Sequence, residues 1–241
     1  MITPQPVNRF KKIFSNKHVI LPVIHVSSEE QAMRNVDIVM ESDADGIFLI
    51  NTGINSTELI RIHEKITGYF QGLWVGVNCV GLDPITVFSH IPVSMAGVWT
   101  DNARIAEGER YPFDADEILE AIDASGWKGL YFGGVAFKYQ RRVNNLRSAA
   151  RNARDYMDVV TTSGPRTGLA ADIEKIKIMK KALDDFPLAI ASGITPENVT
   201  DYLPYSDCYL VSTGISRNFE DFDPNLVELL VQTVRKYDQE N

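Results

Sequence analysis

The chain has 241 residues, 44% of them hydrophobic and 23% charged, enough apolar material for one normally cored domain and too much for a disordered one. Its 32 acidic residues outnumber 24 basic ones for a net charge of −8, which excludes a broadly basic surface for nucleic acid or anionic lipid. No run of about 18 apolar residues offers a membrane span, and residues 1–14 lack the apolar core of a signal peptide.

In chain order, residues 1–17 read as an extension ahead of the first strand. Its Val7, Phe10, Ile13 and Phe14 are placed to pack across the bottom of a fold or against a neighbouring copy, which leaves a homo-oligomer open. Eight apolar runs bounded by turn residues follow, at about 19–25, 46–51, 73–78, 96–99, 129–132, 157–162, 187–191 and 208–211, and they read as buried strands. Cys79 and Cys208 lie in or beside these runs without CxxC or Cys/His metal spacing, the pattern of small core residues in a reduced, cytoplasmic protein. Helical periodicity fills most of the intervals. Leu59, Ile62, His63, Ile66 and Tyr69 form one apolar face, Ile173, Ile176, Met179 and Leu183 a second, and Val227, Leu230, Val231 and Val234 a third. Asp114, Thr195 ahead of Pro196, and Asp223 ahead of Pro224 offer helix N-caps.

Strands apolar on both faces, alternating with helices, mean a parallel sheet coated by helices. Eight such units with no linker between them predict a single (β/α)8 TIM barrel over residues 1–241, of the phosphate-binding type. The GxGxxG and GxxxxGKS/T phosphate fingerprints of open α/β sheets are absent.

A barrel carries its chemistry where strands end and loops begin. His25 closes the first run, either a general acid or base or a plain hydrogen-bonded strand-end histidine. Asn51 and Asn78 close the second and third, with amides able to orient a substrate hydroxyl or carbonyl. Asp101 follows the fourth as a candidate for proton transfer. Lys138 comes after Gly133-Gly134, read as a turn, and suits a phosphate contact or a Schiff base. It also opens the cationic run Lys138, Arg141, Arg142, Arg147, Arg151 and Arg154, for which a solvated helix face is the bland explanation.

The sixth unit supplies Thr162 as a substrate contact and Ser163, Gly164 and Arg166 for an anion. Ser192-Gly193 and Ser212-Thr213-Gly214 follow the last two runs, where bare backbone N–H groups can approach a phosphate and where barrels usually hold one. Ordinary turn chemistry produces either motif alone. No HxH, HExxH or EF-hand spacing occurs, so neither a metal nor another cofactor is expected, and the GxSxG elbow of serine hydrolases is absent.

The stretch Val159-Val160-Thr161-Thr162-Ser163-Gly164-Pro165-Arg166-Thr167-Gly168, then Asp172-Ile173, then Ser192-Gly193-Ile194-Thr195-Pro196-Glu197-Asn198-Val199, resembles the BtpA/SgcQ family of TIM-barrel proteins. That family shows a TGPxTG-like loop, a PDLE-like helix start and SGVTPENV after the seventh strand. Asp45-Gly46-Ile47 with Asn51, Gly76-Val77-Asn78, and Val135-Ala136-Phe137-Lys138 extend the likeness over most of the chain. Ile50 in place of an acidic residue and Leu82-Asp83 in place of Asn-Asp mark a divergent member. The family takes its name from a factor needed for photosystem I accumulation and has relatives in organisms without photosynthesis, so the resemblance implies a general enzymatic or ligand-binding role. The two late loops also resemble those of phosphoribosylanthranilate isomerase and the tryptophan synthase alpha chain, which implies a phosphate site. The cysteine and carboxylates of those two activities are missing from the matching strand ends.

These readings predict an enzyme that binds a small phosphorylated, sugar-like metabolite and works by acid–base isomerase, lyase or ribosyl-transfer chemistry. His25, Lys138 and Asp101 would move protons. The alternative, favoured by Ile50, is a non-catalytic ligand-binding or assembly factor on a barrel scaffold.

Overall fold

A computed structural model describes residues 9–105, 107 and 113–241. Eight parallel strands close into a barrel in chain order, β1 pairing with both β2 and β8. They are β1 (Val19–Val26), β2 (Ile47–Asn51), β3 (Val75–Asn78), β4 (Gly97–Thr100), β5 (Leu130–Gly134), β6 (Val159–Ser163), β7 (Leu188–Ala191) and β8 (Cys208–Val211). A short α1 (Arg9–Ile13) precedes β1. Each strand is then followed by a helix: α2 (Glu29–Met40), α3 (Ser56–Tyr69), α4 (Pro84–His90), α5 (Phe113–Ser125), α6 (Leu146–Ala153), α7 (Ile173–Leu183), α8 (Val199–Tyr202) and α9 (Pro224–Glu240). All eight predicted strands are present. No described helix is long and apolar enough to cross a membrane.

The double-sided apolar pattern of the strands divides the core in two. One layer lies between sheet and helices, where the Ile176–Met179–Leu183 stripe of α7 and the Val227–Val234 stripe of α9 are buried. The other fills the barrel with Leu21, Phe48, Trp99, Phe132 and Leu210. Phe48 meets Trp74 and Phe132 edge-on at 5.3 and 5.1 Å, the favoured geometry for aromatic pairs. A Cβ at Gly76 would stand 2.4 Å from the Phe48 ring, and one at Gly97 2.5 Å from Trp74, so glycines in β3 and β4 make room for these rings. The extension closes the bottom, Phe14 lying 5.2 Å from Trp74 and Phe10 6.2 Å from Phe132. Ile13 points to solvent, and Val7 lies outside the described residues.

Four local expectations are corrected. Tyr69 ends its helix exposed, edge-on to Phe70, because the apolar stripe of α3 stops at Ile66. Asp114 sits inside the first turn of α5 rather than capping it. Thr195-Pro196 opens a hydrogen-bonded turn closed by the Asn198 side chain, and the helix begins only at Val199. Gly133-Gly134 is no turn but the end of β5, where a Cβ on Gly134 would stand 1.8 Å from the Asp101 carbonyl oxygen. Asp223, by contrast, caps α9 by accepting from the Asn225 N–H at 2.9 Å.

Candidate active site

A cavity of about 360 Å³ opens at the C-terminal end of the barrel, the end at which barrel enzymes hold their substrates. Six of the anticipated residues line it: His25, Asp101, Lys138, Ser192, Ser212 and Thr213. They come from the ends of five different strands, so the closed topology is what brings them together.

Lys138 is the best-defined of them. Its Nζ donates to Ser192 Oγ at 2.9 Å, and its backbone N–H donates to Ser163 Oγ at 2.8 Å. The segment that carries it is tightly wound, with Ala136 at φ +50° and Tyr139 at φ +62°, and Ser192 itself stands at φ +90°. Left-handed backbone at residues other than glycine costs about 1 kcal/mol or more each and clusters at functional sites.

The three titratable groups are each displaced from ordinary values. Burial, and then the Lys138 charge, pull His25 from 6.5 down to about 4. Burial lowers Lys138, with Asp101 and Tyr139 pulling back the other way. Burial raises Asp101, opposed by a hydrogen bond from Asn78 and by the Lys138 charge. Desolvation leads in all three cases and favours the uncharged forms. The site therefore presents a neutral imidazole, an amine easier to deprotonate than a surface lysine and a carboxyl easier to protonate than a surface aspartate. Desolvated titratable groups gathered in one cleft mark a candidate site for proton transfer. The His25 Nδ1 is buried with no partner, which leaves Nε2 to face a ligand.

The other anticipated residues stand behind the wall. Asn51 Oδ1 accepts from the Val80 N–H at 2.6 Å and its Nδ2 donates to the Val80 carbonyl at 3.1 Å, so its amide holds the loop after β3. Asn78 donates to Asp101 Oδ1 at 3.0 Å and aims that carboxyl. Thr162 Oγ1 donates to the Ala136 carbonyl at 3.3 Å, and Ser163 Oγ donates to the Gly164 carbonyl at 2.9 Å; both brace the Lys138 segment. Arg166 is exposed at the sixth loop, outside the cavity wall.

The glycines have a packing reason of their own. A Cβ at Gly164 would stand 1.9 Å from the Leu169 carbonyl oxygen, at Gly193 2.1 Å from the Ala170 N, and at Gly214 1.9 Å from the Ile194 carbonyl oxygen. Backbone lies directly on backbone through the sixth, seventh and eighth loops, and Gly193 is also left-handed at φ +73°. Of the cationic run only Lys138 reaches the cavity; Arg141 pairs with Glu107 at 3.2 Å.

Sequence reading missed Trp99, Tyr139 and Phe219 in the wall, and Lys175 behind it. Lys175 Nζ donates to the Ala136 and Ser163 carbonyls at 2.6 and 2.7 Å, and burial lowers its pKa to about 8. It stitches the Lys138 segment to the end of β6. The available signal was a lysine on the same helical stripe as Met179 and Ala182.

The sequence profile of the BtpA family matches residues 115–236, about half of the chain, from α5 into α9. The chain belongs to the BtpA family. An uncharacterised protein of Methanocaldococcus jannaschii is 37% identical over 193 residues, covering 76% of this chain and 69% of that one. An uncharacterised protein of Pyrococcus furiosus is 23% identical over 220 residues, covering 83% and 81%. Among solved structures, the barrel of this BtpA-family chain is similar to (S)-3-O-geranylgeranylglyceryl phosphate synthase from Thermoplasma acidophilum in complex with its substrate sn-glycerol-1-phosphate. The TM-score is 0.66 at 14% identity, over 97% of this chain and all of that one. It is also similar to N-(5'-phosphoribosyl)anthranilate isomerase from Pyrococcus furiosus, with TM-score 0.59 at 15% identity over 91% of this chain and all of that one. At these identities the likeness is one of fold.

Proposed function

We propose that this BtpA-family chain is an enzyme acting on a small phosphorylated metabolite by acid–base chemistry at the C-terminal mouth of its barrel. The observation that carries the reading is the Lys138 Nζ hydrogen-bonded to Ser192 in a cavity that also holds Asp101 and His25. Ser192, Ser212 and Thr213, with backbone N–H groups of the Gly193 and Gly214 loops, hold the phosphate. Both structural neighbours named above are enzymes whose named ligand or substrate carries a phosphate, which supports the reading.

His25, neutral at pH 7, takes a proton through Nε2 and returns it. Lys138, whose charge Asp101 favours against burial, balances the negative charge that develops on the substrate oxygen or leaving group. Asn78 holds Asp101 in place, and Lys175 with Thr162 and Ser163 hold the Lys138 segment. One proton moved beside a stabilised oxyanion is the step that isomerase, lyase and ribosyl-transfer reactions share. A non-catalytic binding protein is the second reading, favoured by the apolar Ile50 at the cavity floor.

Thermal unfolding of the wild type and of Thr213→Asp, with inorganic phosphate and a panel of phosphate esters, tests the site. A ligand at one hundred times its dissociation constant adds about 2.7 kcal/mol, so the wild type should shift upward and the variant, folded but carrying a like charge, should not. Equal shifts in both proteins would remove the phosphate from this wall. Once an ester is in hand, Lys138→Ala separates the two readings: an enzyme loses turnover, a binding protein keeps its ligand.

A further inference from the structure

The cavity wall is divided by polarity. Hydroxyls of Thr167, Ser192, Ser212 and Thr213 and the Lys138 amine come from the loops after β5 to β8, and His25, Thr52 and Asp101 add polar groups from the ends of β1, β2 and β4, whereas the floor is Val23, Ile50, Trp99, Ala191 and Leu210. Among those five side chains the one polar atom, Trp99 Nε1, is buried without a partner. The mouth is apolar as well. Val80, Tyr139 and Phe219 line it and are 46%, 76% and 54% exposed, an arrangement that leaves large apolar groups in water around an opening. The Phe219 ring lies 4.3 Å from that of His25.

A polyhydroxylated sugar, as the sequence suggested, would set several hydroxyls against a floor that cannot bond them, and unpaired buried hydroxyls are costly. Flat apolar surface is what this floor and mouth match. From this division we infer that the ligand is a phosphate ester whose organic part is an aromatic ring, seated between the apolar floor and the Phe219–Tyr139 mouth with its phosphate on the hydroxyl side. The inference rests on the phosphate reading above and narrows it. Aromatic walls favour aromatic guests through offset and edge contacts beyond simple area burial, and Trp99, Tyr139, Phe219 and His25 supply four such rings.

Calorimetric titration of the full chain with phenyl phosphate, ribose 5-phosphate, dimethylallyl phosphate and phenol tests it. Phenyl phosphate should bind about tenfold or more tighter than each of the other three. Phe219→Ala, at an exposed position that does not support the core, should weaken phenyl phosphate by about threefold to tenfold and leave ribose 5-phosphate nearly unchanged. Ribose 5-phosphate or dimethylallyl phosphate bound as tightly as phenyl phosphate would leave the phosphate reading standing and overturn the aromatic assignment. Phenol bound as tightly as phenyl phosphate, with no response to the other esters, would overturn the phosphate reading and this inference with it.

Discussion

The two ends of the barrel use the same residue types to opposite purposes. At the N-terminal end the His18 ring is held between Asp238 and the Leu203 carbonyl. Arg235 donates to the His18 carbonyl and to Asp45 at 2.8 and 2.7 Å, and Asp45 also caps the Ile20 N–H. Phe10 and Phe14 seal that end with apolar surface. At the C-terminal end His25 has a buried Nδ1 without a partner, Lys138 meets a serine hydroxyl, and Asp101 accepts from a neutral amide. Histidine, cation and carboxylate thus serve as a clamp where they pair with one another. They make a reactive cluster where burial has outrun the available partners.

Opening the sealed end should cost the most stability. Phe14→Ala removes a ring from the sealed end and should destabilise by about 3–5 kcal/mol in chemical denaturation, with no change in ligand affinity. Next in size is the effect of pH. His25 has a folded value near 4 against 6.5 when free, so between those values the unfolded chain binds the extra proton. The stability it contributes is whole above 6.5 and is lost as pH falls toward 4, by about 3 kcal/mol. His63, also lowered by burial, acts in the same direction. His25→Gln should flatten the acid side of a stability–pH curve without abolishing it, and a curve unchanged by that substitution would place His25 in water.

A smaller effect is expected from Asn51→Ala, which frees the Val80 loop and loses about 1 kcal/mol while moving one wall of the cavity. Smallest on stability is Lys138→Met. It removes a desolvated cation and should leave the melting temperature level or slightly raised, yet it should lower turnover of a bound ester by about 10²-fold or more. A variant that lost several kcal/mol instead would put Lys138 among the clamping residues and erase the contrast between the two ends.

The strands were legible in sequence because burial on both faces leaves a continuous apolar run, and the barrel followed from their number. Gly133-Gly134 was misread because close approach to Asp101 across β4 is a relation between distant residues. Asn51 and Asn78 were correctly placed at strand ends, but the groups that engage them, Val80 and Asp101, belong to the neighbouring unit and leave no local trace. Phe219 and Tyr139 sit in irregular loops whose composition says little about which way a ring faces. The glycine motifs after β7 and β8 were legible as close approaches, and the backbone they approach within the free chain is their neighbouring loop.

The most direct test follows the Lys138 amine itself, by reductive ¹³C-methylation and NMR titration, with the signal assigned by its absence from Lys138→Met. The account predicts a pKa below the ordinary lysine value of 10.5 in the free protein and an upward move when inorganic phosphate or a phosphate ester is added, as an anion settles beside it. An ordinary value that no phosphate displaces would contradict a buried phosphate site built around Lys138.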